Sequence, residues 1–288
     1  MNQWLHRYSL LVVSATLLLI FAGGLVTSHE AGLAVPDWPL SYGQFFPPMV
    51  GNIFWEHGHR MIAGTVGILT FILTLWIQNH EKRKKIKILT WIAFSSVIAQ
   101  AVLGGLTVIY MLPPAISILH ACLAQTFFCM LIAISYFLST FHENQMCKPT
   151  QGDPVARQKI KKLLALTLMF IYIQLILGAV IRHTGMGILF HVVVAFLVAV
   201  HIFLVSSKIT SLYSLTHPTV HFSRGLGLLV LAQLILGVGS LIHTQMLHRG
   251  YSPTTSEVLF TASHQTVGAM ILGICFLVTL MVYDGLRD

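Results

Sequence analysis

The chain has 288 residues, of which 56% are hydrophobic and only 9% are charged, and its mean hydropathy is +0.79. This composition excludes a soluble domain and is typical of an integral membrane protein. The formal net charge of +8 does not predict nucleic-acid binding, because the basic residues fall between the apolar runs, where they report membrane orientation.

Eight apolar runs are each long enough to cross a bilayer, which needs about 20 apolar residues per helix. The first run follows a short leader, Asn2–Arg7. A cleaved signal sequence is the alternative for this run, but it lacks an Ala-x-Ala site, so we interpret it as a span. The predicted spans are residues 8–28, 55–79, 86–110, 115–140, 161–182, 187–207, 223–243 and 256–284.

The Lys and Arg residues predict the orientation of these spans. If the N-terminus is cytoplasmic, all but three of the 17 Lys and Arg residues lie on the inner side, the exceptions being Arg60, Arg182 and Arg249. The positive-inside rule therefore predicts a multi-pass protein of the cell (inner) membrane with both termini in the cytoplasm.

The four cysteines do not predict a disulfide. Cys122, Cys129 and Cys275 fall inside spans, and Cys147 falls in an inner loop. Because no pair lies in an oxidising outer loop, we expect all four to be unpaired.

The two halves of the chain repeat. Spans three and seven contain Ala99–Gly104 and Ala232–Gly237, which share an Ala-Gln-x-x-Leu-Gly pattern, and span five carries the same core in Gln174–Gly178. Chance similarity between small-residue helix faces is the alternative, but three copies in matching spans disfavour it. Because each half has four spans, both halves begin on the same side of the membrane. The two halves are then related by a rotation axis that lies close to the membrane normal.

The predicted fold is therefore an all-α integral membrane protein, with eight transmembrane helices arranged as two pseudo-symmetric four-helix bundles. We divide the chain into an N-terminal half, residues 1–145, a cytoplasmic linker, residues 146–160, and a C-terminal half, residues 161–288.

Five of the 15 histidines remain as candidate ligands within the spans: His59, His120, His191, His201 and His264. Four of them follow the outer start of an even-numbered span and fall in the outer leaflet. The exception is His201, which lies on the face of His191 but about 15 Å deeper at a rise of about 1.5 Å per residue. We expect the histidines in loops and at span ends to be solvated, namely His6, His29, His80, His142, His183, His217, His221, His243 and His248.

The repeat pairs these histidines. The spacing from His59 to His191 matches the spacing from Gln100 to Gln233 within one residue, so we pair His59 with His120 and His191 with His264. Two neutral imidazoles at one depth on facing helices can bind a heme iron from both sides. The alternative for each is a satisfied core histidine without a ligand role.

The segment Trp55–Arg60 places ionisable groups at the mouth of span two. Glu56, His59 and Arg60 share one helix face, and ionisable groups within a membrane are functional candidates. We predict that Glu56 is catalytic, either by steadying positive charge that develops on a substrate or by handling protons. The alternative is that Glu56 only stabilises the helix. An acid in the first turn interacts favourably with the helix dipole and pairs with Arg60.

Two arginines are candidates for binding heme propionates. These are Arg60 and Arg182. Alternatively, Arg182 anchors its helix at the membrane interface. His57 lies on the same turn as His59 but on a different face, so we assign it no ligand role.

These residues resemble the heme A synthase family over nearly the whole chain. The matching motifs are Gly24–Thr27, Gly32–Pro39, Glu56-x-x-His59-Arg60, Leu119-His120, Arg182–Gly185 and His264-Gln265. The resemblance implies an eight-helix enzyme that oxidises a ring methyl of heme O to a formyl group, giving heme A for cytochrome oxidase assembly.

The resemblance also implies roles for the two halves. The N-terminal half would hold the substrate heme O between His59 and His120, with Glu56 catalytic. The C-terminal half would hold the cofactor heme b between His191 and His264. A heme O synthase that hands over so apolar a substrate is the implied partner, beside membrane lipid and the cytochrome oxidase assembly machinery. The sequence leaves the oligomeric state open, a homo-oligomer included.

The chain departs from the family in two places. Many members have a cysteine pair in the first outer loop, and this chain has none, so we expect no thiol role there. The span-six ligand often stands before Arg after a long outer loop, whereas here the loop is only Thr184–Gly187 and Val192 follows His191. The sequence therefore keeps His201 as the alternative ligand to His191.

Two other functions compete with the enzyme. A di-heme electron carrier resembling cytochrome b561 would place hemes near both membrane faces, whereas all four preferred ligands lie near one face. A transporter with a parallel repeat would need broken helices and polar groups at the midplane, which is apolar here apart from His201 and the glutamines.

Overall fold

The computed structural model describes residues 3–143, 154–247 and 252–285, and its described residues form helices joined by short connections and one long outer loop. The helices are α1 (Gln3–Ser28), α2 (Asn52–His80), α3 (Lys84–Ile109), α4 (Pro114–Phe137), α5 (Thr140–Glu143), α6 (Pro154–Thr184), α7 (Ile188–Leu212), α8 (Pro218–Leu241) and α9 (Thr255–Gly285). A π-helical turn, Ile242–Leu247, extends α8.

The eight predicted spans are confirmed. All helices except the short α5 are long and apolar enough to cross a membrane. Helix α6 begins at Pro154, so residues 154–160 of the predicted linker are helical. The rest of that linker is residues 146–153, which lie outside the described part of the chain, so the division into halves stays a prediction.

Proline or glycine stands at the start of several helices. Pro114 and Pro218 stand at the beginning of α4 and α8, where the missing N–H costs nothing. Gly187 precedes α7 with a left-handed backbone, φ 93°, which glycine adopts without strain. This geometry lets α6 and α7 join through the short predicted loop.

The helix contacts form two rings. In the first ring, α1 and α3 each contact both α2 and α4. In the second ring, α6 and α8 each contact both α7 and α9. The rings meet where α1 packs on α9 and α4 packs on α6 and α9. Within each ring, α2 stands diagonally opposite α4, and α7 stands diagonally opposite α9.

Each ring has its own apolar core, centred on the C-terminal halves of α2 and α4 in the first ring and of α7 and α9 in the second. The first core includes Leu73, Ile77 and Leu131, and the second includes Ile202 and Ile209. All five side chains are almost fully buried, and in a membrane it is their close packing, not removal from water, that stabilises the helix contacts. The histidine pairs described next lie in the N-terminal halves of the same four helices.

The cysteines within the described residues are Cys122, Cys129 and Cys275, and all three are free. The expectation for Cys147 falls outside the described residues.

Candidate functional site

In the first ring, both candidate histidines lie against a glycine on a neighbouring helix. A Cβ built on Gly23 of α1 would lie 3.1 Å from Cε1 of His59, and one built on Gly104 of α3 would lie 3.4 Å from Cε1 of His120. His120 also lies near enough to His59 for a charge on one imidazole to act on the other. The structure therefore brings the predicted pair together. Each imidazole edge lies in the space that the missing side chain of a glycine leaves on the neighbouring helix, which we call a glycine notch.

The second ring repeats this arrangement. A Cβ on Gly178 of α6 would lie 3.3 Å from Cε1 of His191, and one on Gly237 of α8 would lie 2.9 Å from Cε1 of His264. The ring centroids of His191 and His264 are 6.2 Å apart, with an interplanar angle of 64°. Histidines thus occupy one diagonal of each ring of helices and glycine notches occupy the other.

The spacing of His191 and His264 fits a metal held between two imidazoles. Metal–imidazole bonds are about 2 Å long, so two rings on opposite sides of one ion have centroids about 6 Å apart. The buried Nδ1 atoms of all four histidines have no hydrogen-bond partner among the described residues. Groups of three or more His, Cys, Asp or Glu side chains suited to an ion are absent from those residues. Pairs of imidazoles are the ligand set that a heme iron takes.

His201 lies apart from this arrangement. Its Nδ1 is 3.4 Å from Oγ1 of Thr167, and its ring meets Phe170 edge to face at 4.9 Å. It therefore has neighbours of its own deeper in the second ring, whereas His191 faces His264.

Glu56 is buried, with 4% of its surface exposed, and both of its carboxylate oxygens are engaged. Nη2 of Arg60 donates to Oε1 over 2.6 Å, and the backbone N–H of Val35 donates to Oε2 over 2.7 Å. Helix α2 begins at Asn52, so Glu56 lies in its second turn. The first-turn dipole alternative is therefore wrong, while the i,i+4 pairing with Arg60 is present.

Arg60 fastens the outer loop, residues 29–51, to α2. Its Nη1 donates to the carbonyl oxygens of Asp37 and Leu40 over 2.8 and 2.9 Å, and its Nη2 donates to that of Val35 over 3.3 Å. Three residues before Arg60, buried His57 places Nδ1 2.8 Å from Oγ of Ser41, a hydroxyl that Nη1 of Arg60 also approaches at 3.5 Å. We name Glu56, His57 and Arg60 with these loop partners the loop clamp. Sequence reasoning did not find it, because its acceptors are mainly backbone atoms.

The loop clamp is extended by a turn within the loop. Asp37 accepts the backbone N–H groups of Tyr42 and Gly43 over 2.6 and 2.8 Å. The bond from Gly43 is the main reason why the pKa of Asp37 lies below its ordinary value. Tyr42 donates its hydroxyl to the carbonyl of Ala34 over 2.7 Å. These bonds hold the loop in one conformation without a covalent link.

Trp38 is the loop residue that contacts α3. A Cβ built on Gly105 would lie only 2.6 Å from the Trp38 indole, so no side chain fits at that position without moving the ring. Gly105 directly follows Gly104, the notch that receives His120. The loop therefore covers the first ring at the level of its histidines.

Arg182 lies where the two rings meet. Its Nη2 donates to Oγ of Ser28 over 3.0 Å, and Ser28 in turn is 2.7 Å from Oγ1 of Thr261. Glu30 and Glu257 attract its charge. The propionate role predicted for Arg60 and Arg182 stays a prediction, and the partners that the structure gives both residues are protein atoms.

Several histidines expected to be solvated are packed instead. His29 stacks on Trp55 with centroids 4.1 Å apart, and burial lowers its pKa. His142 lies 2.6 Å from a carboxylate oxygen of Asp284, and His243 stacks on Phe260. Loop and helix-end positions do not imply solvent exposure in this fold, because helix ends pack against each other.

The fold and the site define a class of protein: a multi-span helical membrane protein whose two rings of helices each present a pair of histidines suited to a heme. The family model described as COX15-CtaA, cytochrome oxidase assembly protein, matches residues 6–281. The chain belongs to this family.

Relatives agree with this membership. A heme A synthase of Exiguobacterium sibiricum is 28% identical over 189 residues, which cover 64% of this chain and 61% of that protein. A heme A synthase of Bacillus pumilus is 28% identical over 185 residues, covering 62% of this chain and 59% of that protein. A heme A synthase of Alkalihalophilus pseudofirmus is 32% identical over 124 residues, which cover 42% of this chain and 41% of that protein. The chain thus spans about three fifths of the length of the first two relatives.

Proposed function

We propose that this protein is a heme A synthase, an enzyme that oxidises a ring methyl of heme O to a formyl group. The observation that carries the proposal is the pair of histidines in each ring of helices, in a chain that matches its family over residues 6–281. The name heme A synthase, borne by several relatives, supports the same activity.

The first ring is the proposed substrate pocket, with His59 and His120 as ligands of the heme O iron. Glu56 lies one turn before His59 on the same face of α2, with its charge balanced by Arg60. We assign Glu56 the catalytic role beside the reacting edge, where a fixed carboxylate steadies developing positive charge. The outer loop, with Trp38 on Gly105, keeps water from this pocket.

The second ring is the proposed cofactor pocket, with His191 and His264 as ligands of heme b. When bound, heme b supplies a redox-active iron. The 6.2 Å separation of the two imidazoles supports His191 over His201 as the ligand from α7. This chain's contribution is to hold both imidazoles edge-on in the Gly178 and Gly237 notches.

The electron-carrier alternative is less well supported. A carrier that passes electrons across the membrane needs hemes at both faces, whereas all four histidines lie near the outer ends of their helices. The cytoplasmic halves of both rings are filled by apolar side chains.

We infer the cell (inner) membrane as the location, with both termini in the cytoplasm, from the distribution of Lys and Arg. A heme O synthase is the partner that the chemistry favours, because heme O is too apolar to diffuse freely through water. The same reasoning makes membrane lipid the surroundings from which the substrate arrives.

The test is product identification. Cells that make heme O but lack heme A are given this chain, and the extracted hemes are separated by chromatography. We expect heme A to accumulate. Extracts that contain only heme b and heme O, from cells in which the protein is present in the membrane, would overturn the proposal.

A further inference from the structure

The outer loop, residues 29–51, ends in an exposed apolar segment that the loop clamp does not use. Phe45 and Phe46 are among the most exposed large apolar side chains of the described residues, with 78% and 77% of their surface exposed. Met49 and Val50 are exposed as well. We name Phe45, Phe46, Met49 and Val50 the apolar tip. Exposed clusters of this kind mark surfaces that meet a partner or a membrane.

The two phenylalanines of the apolar tip are held at the surface by the residues on either side of them. Ser41 and Gln44 exchange two backbone hydrogen bonds of 3.0 Å, which close a tight turn immediately before Phe45. Pro47, which follows Phe46, is buried, and its ring fixes the backbone φ at that point. The phenylalanines therefore stand between a closed turn and a buried proline.

Met49 places the apolar tip beside α2. A Cβ built on Gly58 would lie 4.0 Å from Cε of Met49. Gly58 lies well inside the helix, about 9 Å along its axis from the start at Asn52 when each residue rises by about 1.5 Å. The side chain of Met49 therefore lies along the first turns of α2.

That side of α2 is the side that faces lipid. Gly58 shares a helix face with Phe54 and Met61, and both of these residues are exposed. The same stripe continues deeper in the span as Ile68 and Ile72, which are also exposed. Because α2 is long and apolar enough to cross a membrane, hydrocarbon covers its exposed apolar stripe. The apolar tip is continuous with that lipid-facing surface.

The composition of the segment around the tip also favours lipid. Residues 38–55 contain no Asp, Glu, Lys or Arg, whereas a surface that docks a protein partner has a polar rim around its apolar centre. Aromatic side chains are typical of segments that lie at the boundary between membrane and water. An uncharged aromatic segment beside a span therefore fits that boundary better than it fits a protein partner.

We propose that the apolar tip inserts into the boundary of the phospholipid bilayer beside α2, where lipid covers Phe45 and Phe46. The loop clamp holds the loop from the protein side, through the bond from Arg60 to the carbonyl of Leu40, and lipid holds the tip. The occupant of this surface is the bilayer, not a second copy of the chain or a partner protein. The inference concerns the loop alone and does not depend on the proposed reaction.

The experiment measures the depth of the tip in vesicles of phosphatidylcholine and phosphatidylglycerol. The full-length protein, with its four cysteines replaced by alanine, carries one nitroxide label at Val50→Cys. Power-saturation electron paramagnetic resonance compares the collisions of the label with oxygen, which concentrates in lipid, and with a nickel chelate, which stays in water. The lipid reference is Ile68→Cys, exposed in the middle of α2, and the water reference is Lys85→Cys, exposed at the start of α3. We expect the oxygen-to-nickel ratio at Val50 to lie nearer to that of Ile68.

Two double variants test the phenylalanines themselves. Phe45→Asn combined with Phe46→Asn should shift the ratio at Val50 toward the water reference, because the amides leave the lipid boundary. Phe45→Leu combined with Phe46→Leu is the matched control, which keeps an apolar tip and should keep the lipid-like ratio. Since both phenylalanines are exposed in the structure, neither double variant removes packing from the fold.

A water-like ratio at Val50 with both phenylalanines present would overturn the inference, as would equal ratios in the Asn and Leu variants. Fewer collisions with both reagents, together with spectral broadening as the ratio of protein to lipid rises, would show that a second copy covers the tip. Heme A formation is scored separately in cells, so failure of the lipid contact and failure of the proposed reaction are distinguishable.

Discussion

Glu56 has both a structural contact with the outer loop and a proposed catalytic role. Its carboxylate both closes the loop clamp, through Arg60 and Val35, and lies one helical turn from His59. A buried carboxylate paired with a guanidinium stays charged only while its partner remains, and breaking such a pair costs about 3–5 kcal/mol. Experiments on Glu56 must therefore separate loss of chemistry from loss of the clamp.

We expect Glu56→Gln to reduce heme A formation by about 100-fold or more, the usual contribution of a positioned acid or base, while heme content and the Soret spectrum stay near normal. Chromatography of extracted hemes and spectra of the purified protein measure the two effects. Ser41→Ala is the control, because it removes the loop partner of His57 and loosens the clamp while Glu56 keeps its bond to Arg60. If Glu56→Gln still forms heme A at the normal rate, the residue is only an anchor.

The outer loop is the element that distinguishes the first ring from the second. It spans residues 29–51 and is held by Arg60, His57 and its own Asp37 turn, whereas α6 and α7 are joined by a short turn. Trp38 rests directly on Gly105, so this side chain is the point at which the loop contacts α3.

Gly105→Ala should therefore displace Trp38 and loosen the loop, at a cost of about 1–3 kcal/mol, as overpacking usually does. Gly64→Ala is the matched control, because a Cβ there meets nothing within 4 Å and gains the same helix propensity. Val35→Cys, at a fully buried loop position, reports opening through its rate of reaction with a maleimide. Equal labelling in the two alanine backgrounds would show that Trp38 does not hold the loop closed.

At the scale of the whole molecule, two rings of four helices place the apolar cores in one half of the helices and the paired histidines in the other half. Contacts of α1 with α9 and of α4 with α6 and α9 join the rings. The bond between Arg182 and Ser28 lies at this junction. The two rings that hold the histidine pairs are therefore direct neighbours in the fold.

The topology is tested by fusing reporters to the chain. Alkaline phosphatase, which folds only outside the cytoplasm, should be active after residue 44 and inactive after residue 83, and a fluorescent protein should give the reverse. The expected pattern follows from the basic residues in 82–87 and their scarcity in the outer segments. Phosphatase activity after residue 83 would invert the whole assignment and place the histidines near the cytoplasm.

The sequence by itself determined the class, the number of spans and the pairing of the histidines. These follow from hydropathy, from charge and from a repeat with a period that helices preserve, so local pattern carries them. Only the tertiary structure decided that glycines on the other diagonal seat the imidazoles and that Glu56 and Arg60 clamp the outer loop. Those features depend on distances between side chains and distant backbone atoms, which no spacing along the chain specifies.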